Sequence, residues 1–303
     1  MANPPAGASI DPGLLETFLV VLGAGRISAA AKVLHLSQPA VTAQIRKLED
    51  ALGAALFTRS VSGVVPTARG ARLADYARSI QRLLEEAVAE VGGRAEAGGE
   101  LLVAASTTVA AHVLPPLLAQ FRHVHRDVSL RVRVGNTDEV LDQVRTGQAP
   151  LGIVEGHARV AGVHLEPFLD DEIVAVVGRD ASFPIRAARD LAEVPILWRE
   201  AGSGTRSVVE RALARAGARK RSTARDVELG STEAILSGAM AGLGVAFVSR
   251  WSIRAHLAAG LVRVVNLDFT VRRTFRWALP AGGLQGTAAR FHSFAQRSPP
   301  APV

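Results

Sequence analysis

From Asp11 to Phe57 the apolar residues recur only at helical spacing, and local punctuation cuts them into helices too short to be stable alone. Asp11 is an N-cap, and Pro12 takes the first helical position, where a missing N–H costs nothing. Leu14, Leu15, Phe18, Val21 and Leu22 share one face, and Gly23 and Gly25 stop the run. Ser28 is placed to cap a second helix over 29–34, where Ala29, Ala30 and Ala31 let another helix approach closely. His35 and Leu36 make the turn, and Ser37 caps a third helix to about residue 48, with Pro39 in its first turn. Val41, Ile45 and Leu48 form its inward stripe, whereas Gln38, Thr42, Arg46 and Glu49 lie on other faces, free for solvent or a ligand. Leu52, Gly53, Leu56 and Phe57 return the chain to the core, and 58–67 reads as a hairpin turning near Ser62 and Gly63. Such helices can bury their stripes only against one another, so this stretch is expected to be a small helical unit with a β wing.

Charge says what that unit meets. The chain carries a formal +7, nearly all of it arginine, with Lys32, Lys47 and Lys220 the only lysines. Arginine-rich composition can follow from base bias, so position matters more than the total. Within 26–82, nine basic side chains (Arg26, Lys32, Arg46, Lys47, Arg59, Arg69, Arg72, Arg78, Arg82) face three acidic ones (Glu49, Asp50, Asp75). A helix-turn-helix places the start of its second helix in the DNA major groove. Ser37, Gln38 and Pro39 open that helix here; Gln38 can read adenine, and Thr42 can meet a thymine methyl or a phosphate. Arg46, Lys47, Arg59 and Arg69 are placed for phosphates, which position a protein without reading sequence. The plainer alternative is a helical hairpin with a solvated basic face.

Thr67 caps a long helix to about residue 91, whose Leu73, Tyr76, Ile80, Leu83, Ala87 and Val91 repeat at near-heptad spacing. So small a unit cannot cover that stripe. A seam with a second copy covers it and suits paired DNA half-sites; packing on the C-terminal region of the same chain is the rival. Gly92, Gly93, Gly98 and Gly99 then read as a hinge.

Beyond residue 100 strand and helix patterns alternate. Strands are expected at 101–105, 128–134, 151–154, 173–177, 194–198, 227–229, 245–248 and 262–267, and helices at 109–125, 137–146, 205–216 and 232–241. That is an α/β architecture of one or two doubly wound lobes, with a ligand crevice at strand C-termini. Ser106, Thr107 and Thr108 follow the first of these strands, and Asn136 and Thr137 the second. Gly202-Ser203-Gly204-Thr205-Arg206 opens a helix, as do Ser231 and Thr232. Backbone N–H groups, hydroxyls and the helix dipole there suit an anion, but each hydroxyl also suits a simple cap. The basic run Arg215, Arg219, Lys220, Arg221 and Arg225 reads as a solvated face.

Several classes are set aside. With no cysteine there is no disulfide, thiolate nucleophile or Cys-based zinc site, and the eight histidines show no ligand spacing. Glycines 202 and 204 are not followed by the lysine of a phosphate-binding loop, and no G-x-S-x-G elbow or dinucleotide fingerprint is present. No enzyme chemistry, metal or cofactor is expected. The N-terminus lacks the basic start and apolar core of a secretory signal, and no apolar run is long enough to span a bilayer. The expected location is the cytoplasm, which argues against an exported solute-binding protein of similar architecture.

One known family joins these features. Ser37-Gln38-Pro39-Ala40-Val41-Thr42, the preceding Ser28-Ala29-Ala30-Ala31, the following Gln44-Ile45-Arg46-Lys47-Leu48-Glu49, and Leu52-Gly53 with Leu56-Phe57-Thr58-Arg59 resemble the LysR-type transcriptional regulators, as does Pro66-Thr67-Ala68-Arg69-Gly70 at the wing-to-linker junction. Arg199-Glu200-Ala201-Gly202-Ser203-Gly204-Thr205-Arg206, Leu229-Gly230-Ser231-Thr232-Glu233-Ala234-Ile235 and Gly242-Leu243-Gly244-Val245 resemble the branch of sulfur-assimilation and carbon-fixation regulators. The resemblance implies a winged helix-turn-helix over 1–66 and a linker helix and hinge over 67–98. It implies a two-lobed effector domain, similar to type 2 periplasmic binding proteins, over 99–303, with lobe I near 99–168 and 270–303 and lobe II near 169–269. It further implies a cleft lined by Ser106, Thr107, Asn136, Gly202, Ser203, Gly204, Thr205 and Thr232 that takes a small anionic effector. Promoter DNA, a homodimer or homotetramer, and contact with RNA polymerase complete the expectation. Ala43 departs from the arginine common at that place, which puts operator preference in doubt.

Overall fold

The computed structural model describes residues 10–60, 63–91, 99–156, 160–185, 187–218 and 225–300. Ser62, Gly92, Gly93, Gly98, Arg219, Lys220 and Arg221, and the side chains of Arg82 and Val91, lie outside what is described. Two compact units divide between the long linker helix and the first strand of the α/β region.

The first unit contains α1 (Pro12–Ala24), α2 (Ile27–Val33), α3 (Gln38–Leu52), the wing strands β1 (Phe57–Ser60) and β2 (Gly63–Pro66), and α4 (Ala68–Val91). Asp11 caps α1 by accepting from the Gly13 N–H, and Gly25 ends it in the left-handed conformation. Helix α2 departs from expectation: it begins at Ile27 with Arg26 at the N-cap, and no side chain, Ser28 included, caps it. Its short length is offset by packing, since Ala30 and Ala31 sit in the core with Phe18, Val21, Val41, Ile45, Leu48 and Leu56. Ser37 caps α3 as its sequence position suggests, and α3 runs four residues past the expected end, to Leu52. Glu49 is not a free surface group. Its carboxylate accepts from the Leu56 N–H at 2.7 Å and tethers the start of the wing to α3. Thr67 accepts from the Gly70 N–H at 3.0 Å and so caps α4.

The second unit is a nine-stranded mixed sheet in the order β4-β3-β5-β11-β6-β9-β7-β8, with β10 on β6. The strands are β3 (Glu100–Ser106), β4 (Ser129–Gly135), β5 (Gly152–Glu155), β6 (Val163–Gly178), β7 (Ile196–Arg199), β8 (Val227–Leu229), β9 (Val245–Ser249), β10 (Val262–Val265) and β11 (Val271–Pro280). Helices α5 (Leu114–Val124), α6 (Thr137–Arg145), α7 (Gly204–Arg215), α8 (Thr232–Met240), α9 (Arg250–Ala258) and α10 (Gly286–Arg297) flank it. Parallel β4-β3-β5 and parallel β9-β7-β8 form its two ends. Antiparallel β6 and β11 pass between them. Strand β6 is far longer than its apolar run, because residues 163–170 pair with β11 while carrying mixed side chains. Strand β11 and helices α9 and α10 had no counterpart among the elements expected from sequence.

Helices cover both faces at each end, so strands such as β5 and β9 are buried throughout and read as apolar runs, each closed by one buried polar residue, Glu155 and Ser249. The expected helix over 109–125 is broken in type: Val109–Val113 is a π-helix, and Pro115 and Pro116 open α5 where their missing N–H groups are tolerated. Among the described residues no helix is long and apolar enough to cross a membrane.

Candidate DNA-reading face and effector cleft

On the first unit, Gln38, Pro39, Thr42, Ala43, Arg46, Lys47 and Asp50 line one shallow groove along α3. Helical spacing brings them there, since residues three and four apart share a face. Ser37 is committed to its cap at 3.3 Å from the Ala40 N–H, and the Thr42 hydroxyl donates to the Gln38 carbonyl at 2.9 Å. Arg59 on β1 and Arg69 at the start of α4 are exposed and lie outside this groove. Asp50 adds one negative charge to a face otherwise basic.

In the second unit two of the candidate residues, Thr107 and Thr232, meet at an arginine that sequence reasoning had not singled out. Arg199 ends β7, and its side chain is only 3% exposed. Its Nη1 donates to the Thr107 hydroxyl at 2.9 Å and the Thr232 hydroxyl at 3.2 Å. Its Nε and Nη2 form a two-pronged pair with the Glu200 carboxylate at 2.7 and 2.8 Å. Thr107 follows β3 at one end of the sheet, and Thr232 opens α8 at the other. Arg199 therefore bridges the two ends.

The remaining predicted cleft residues divide by role. Ser106 is buried, and among the described residues its hydroxyl has no hydrogen-bond partner. Ser203 caps α7 by accepting from the Arg206 N–H. Asn136 accepts from the Glu139 N–H at 3.0 Å and donates to the Ala201 carbonyl at 3.4 Å, which ties the start of α6 to the loop before α7. Gly202 has φ +85, a left-handed conformation that glycine adopts without strain. Gly204 is required by space: a Cβ there would collide with the Glu155 carbonyl and the Thr137 hydroxyl.

Thr205 faces a different cluster. It donates to Glu155 Oε2 at 2.6 Å and accepts from Arg273 Nη1 at 2.7 Å. Arg273 on β11 also pairs with Glu155 at the end of β5 and, through Nε, with Asp171 on β6 at 2.7 Å. All three ionised side chains are almost completely buried. Burial alone would raise both carboxyl pKa values. For Glu155 the Arg273 charge, the Thr205 and Thr108 hydrogen bonds and the field of Arg199 outweigh burial and lower it to about 2. Asp171 shares the same arginine and lies near the Glu155 charge, so burial prevails and pushes it up. Glu155 and Arg199 were missed because they close short apolar runs that read as core, and Arg273 because β11 is mixed in sequence and was not expected as a strand. Their signal was position, since Glu155 and Arg199 each end a strand.

Comparison with known proteins agrees with this geometry. Residues 12–71 match the bacterial regulatory helix-turn-helix protein family, lysR type, and residues 94–299 match the LysR substrate binding domain. The chain is 32% identical to the HTH-type transcriptional regulator CysL of Bacillus subtilis, over 86% of this chain and 88% of that protein. It is 33% identical to the HTH-type transcriptional regulator CbbR of Xanthobacter flavus, over 89% and 84% of the two chains. A crystal structure of full-length CbnR complexed with its target DNA superposes with a TM-score of 0.66 at 26% identity, covering 95% of this chain and all of that one. The regulatory domain of Synechocystis CcmR in complex with 2-PG superposes with a TM-score of 0.60 at 25% identity, over 67% of this chain and all of that domain. An N-terminal helix-turn-helix and a C-terminal α/β effector-binding domain, in matching order over nearly the whole chain, make this protein a member of the LysR family of DNA-binding transcriptional regulators, among relatives that include CysL and the carbon-fixation regulators.

Proposed function

We propose that this regulator reads promoter DNA through the α3 groove and is switched by a small anion that competes with Glu200 for Arg199. Gln38 and Thr42 supply the base contacts, while Arg46, Lys47, Arg59 and Arg69 hold phosphates. The observation that carries the effector half is the Arg199 bridge. A guanidinium fork engages carboxylates and phosphates bidentately, and here the chain's own carboxylate occupies it at the end of β7, the strand end where such folds place ligands. An effector carboxylate, sulfate or phosphate would take Glu200's place, with the Thr107, Thr232 and Ser106 hydroxyls adding hydrogen bonds. The CcmR regulatory domain in complex with 2-PG supports a ligand in a domain of this fold.

Only an effector with different affinity for two lobe arrangements can switch the protein. In this reading α4 pairs two copies, as a dimer or within a tetramer, so that lobe rearrangement alters the spacing of two reading heads. Such a protein acts in the cytoplasm and meets RNA polymerase at the promoter.

Calorimetric titration with sulfate and phosphate tests the cleft. Glu200→Gln, which weakens the internal competitor, is expected to tighten anion binding several-fold, and Thr107→Ala to weaken it. Unchanged affinity in both variants would sink the displacement idea. Footprinting of the upstream region is expected to show a dyad-like site whose protection changes with effector; salt-sensitive binding without sequence preference would count against it.

A further inference from the structure

A second concave site lies apart from the Arg199 cleft, between one face of α7 and the start of β11. Its volume of about 530 Å³ falls inside the roughly 300–1,000 Å³ typical of small-molecule sites. Four arginines line it, Arg211 and Arg215 from α7 and Arg272 and Arg273 from β11, and no acidic residue does. Arg211 and Arg215 are four apart and share a helix face, an arrangement that costs helix stability through like-charge repulsion unless an anion relieves it. The three exposed arginines make no ion pair with any described residue, whereas most arginines around the cleft are paired. Arg273 adds an independent sign. Its Nε and Nη1 are spent on Asp171, Glu155 and Thr205, but its buried Nη2 has no hydrogen-bond partner among the described residues. Val208, Ala212 and Phe269 supply apolar wall beside these charges.

We propose that this pocket is a second ligand site, for a small organic phosphate whose apolar part rests against Phe269 and Val208. Arginine forks match phosphate oxygens in pairs, and several of them around one pocket suit a group carrying close to two negative charges. The apolar wall selects an organic ester over a bare inorganic ion. The site uses none of the residues assigned to the Arg199 cleft, so it stands or falls separately from the effector reading.

Phenyl phosphate is the probe, with inorganic sulfate beside it, titrated into the full-length protein by calorimetry. The expected isotherm contains a site that Arg211→Ala/Arg215→Ala weakens at least tenfold and that sulfate fills more weakly than phenyl phosphate. Both substitutions lie at exposed positions of α7, and an unchanged melting temperature verifies the fold. Arg272→Gln is expected to weaken the same site from the other wall, while Thr107→Ala reports on the cleft alone. The proposal is overturned by an isotherm that the double variant leaves unchanged, by one that Thr107→Ala abolishes entirely, or by no binding at all. It is equally overturned if sulfate and phenyl phosphate bind alike and fade together with salt, since that describes a charged surface. Loss of self-association or polymerase contact in the double variant, without phenyl phosphate binding in the parent, would assign the arginines to a protein partner instead.

Discussion

At Thr42 the hydroxyl hydrogen is already given to the Gln38 carbonyl, so what this residue offers to a base is its methyl group. In the proposed reading, the amide of Gln38 and that methyl are the two groups that read sequence from the α3 groove, with Ala43 contributing no charge between them. Gln38→Ala is expected to cost about 1–3 kcal/mol at one operator base pair and to relax preference there. Lys47→Ala, by contrast, should weaken all sequences alike and reduce the salt slope by about 1. Fluorescence anisotropy on operator variants across a salt series separates the two, and uniform weakening by Gln38→Ala would reassign that side chain to the backbone. That Gln38, Thr42, Arg46 and Lys47 share one groove was legible because a helix-turn-helix is local, and its exposed face follows from spacing within fifteen residues. Arg199 was not, because Thr107 and Thr232 lie 92 and 33 residues away along the chain.

Among the elements, α4 shows two unlike faces. Ala74 and Ala77 are buried against the winged-helix core, while Tyr76 and Val88 are 65% and 66% exposed, and Ile80, Leu83 and Leu84 are exposed as well. An apolar stripe left bare on a single chain is the expected signature of a paired seam, where each leucine can contribute about 2 kcal/mol on burial. Leu83→Asp is therefore expected to raise the dimer dissociation constant at least tenfold in sedimentation equilibrium, while the winged unit keeps its helical content. A dimer of undiminished strength would place the seam elsewhere. Periodicity revealed α4 but misjudged α2, which lacks the Ser28 cap and is held by alanine packing instead. It also overlooked the first half of β6 and all of β11. Those strands are built from mixed polar sequence whose ladder partners, not whose pattern, make them strands.

In the whole α/β unit, the buried cluster of Glu155, Arg273, Asp171, Thr205 and Ser249 joins β5, β11, β6, α7 and β9. Glu155 titrates near 2 in the folded chain against the usual 4.5, so its stabilising contribution is whole above about pH 4.5 and is lost as pH falls toward 2. Asp171 acts with the opposite sign: its pKa is raised, so protonation favours the folded state on acidification. Glu155→Gln is expected to lower stability at neutral pH by about 3 kcal/mol and to flatten the acid limb of the stability curve. Urea unfolding at several pH values measures this, and an acid limb identical to the parent's would show that Glu155 is not the group responsible. The amino-acid sequence by itself determined the family, the reading helix, the linker stripe and the alternation of strand and helix, because each depends on residues within a few turns of one another. Only the tertiary structure decided that Arg199 bridges Thr107 and Thr232, that Thr205 serves a buried ionic cluster, and that four arginines share one pocket. Those arrangements depend on strands distant in sequence meeting in one sheet, and no local pattern records which side chains meet there.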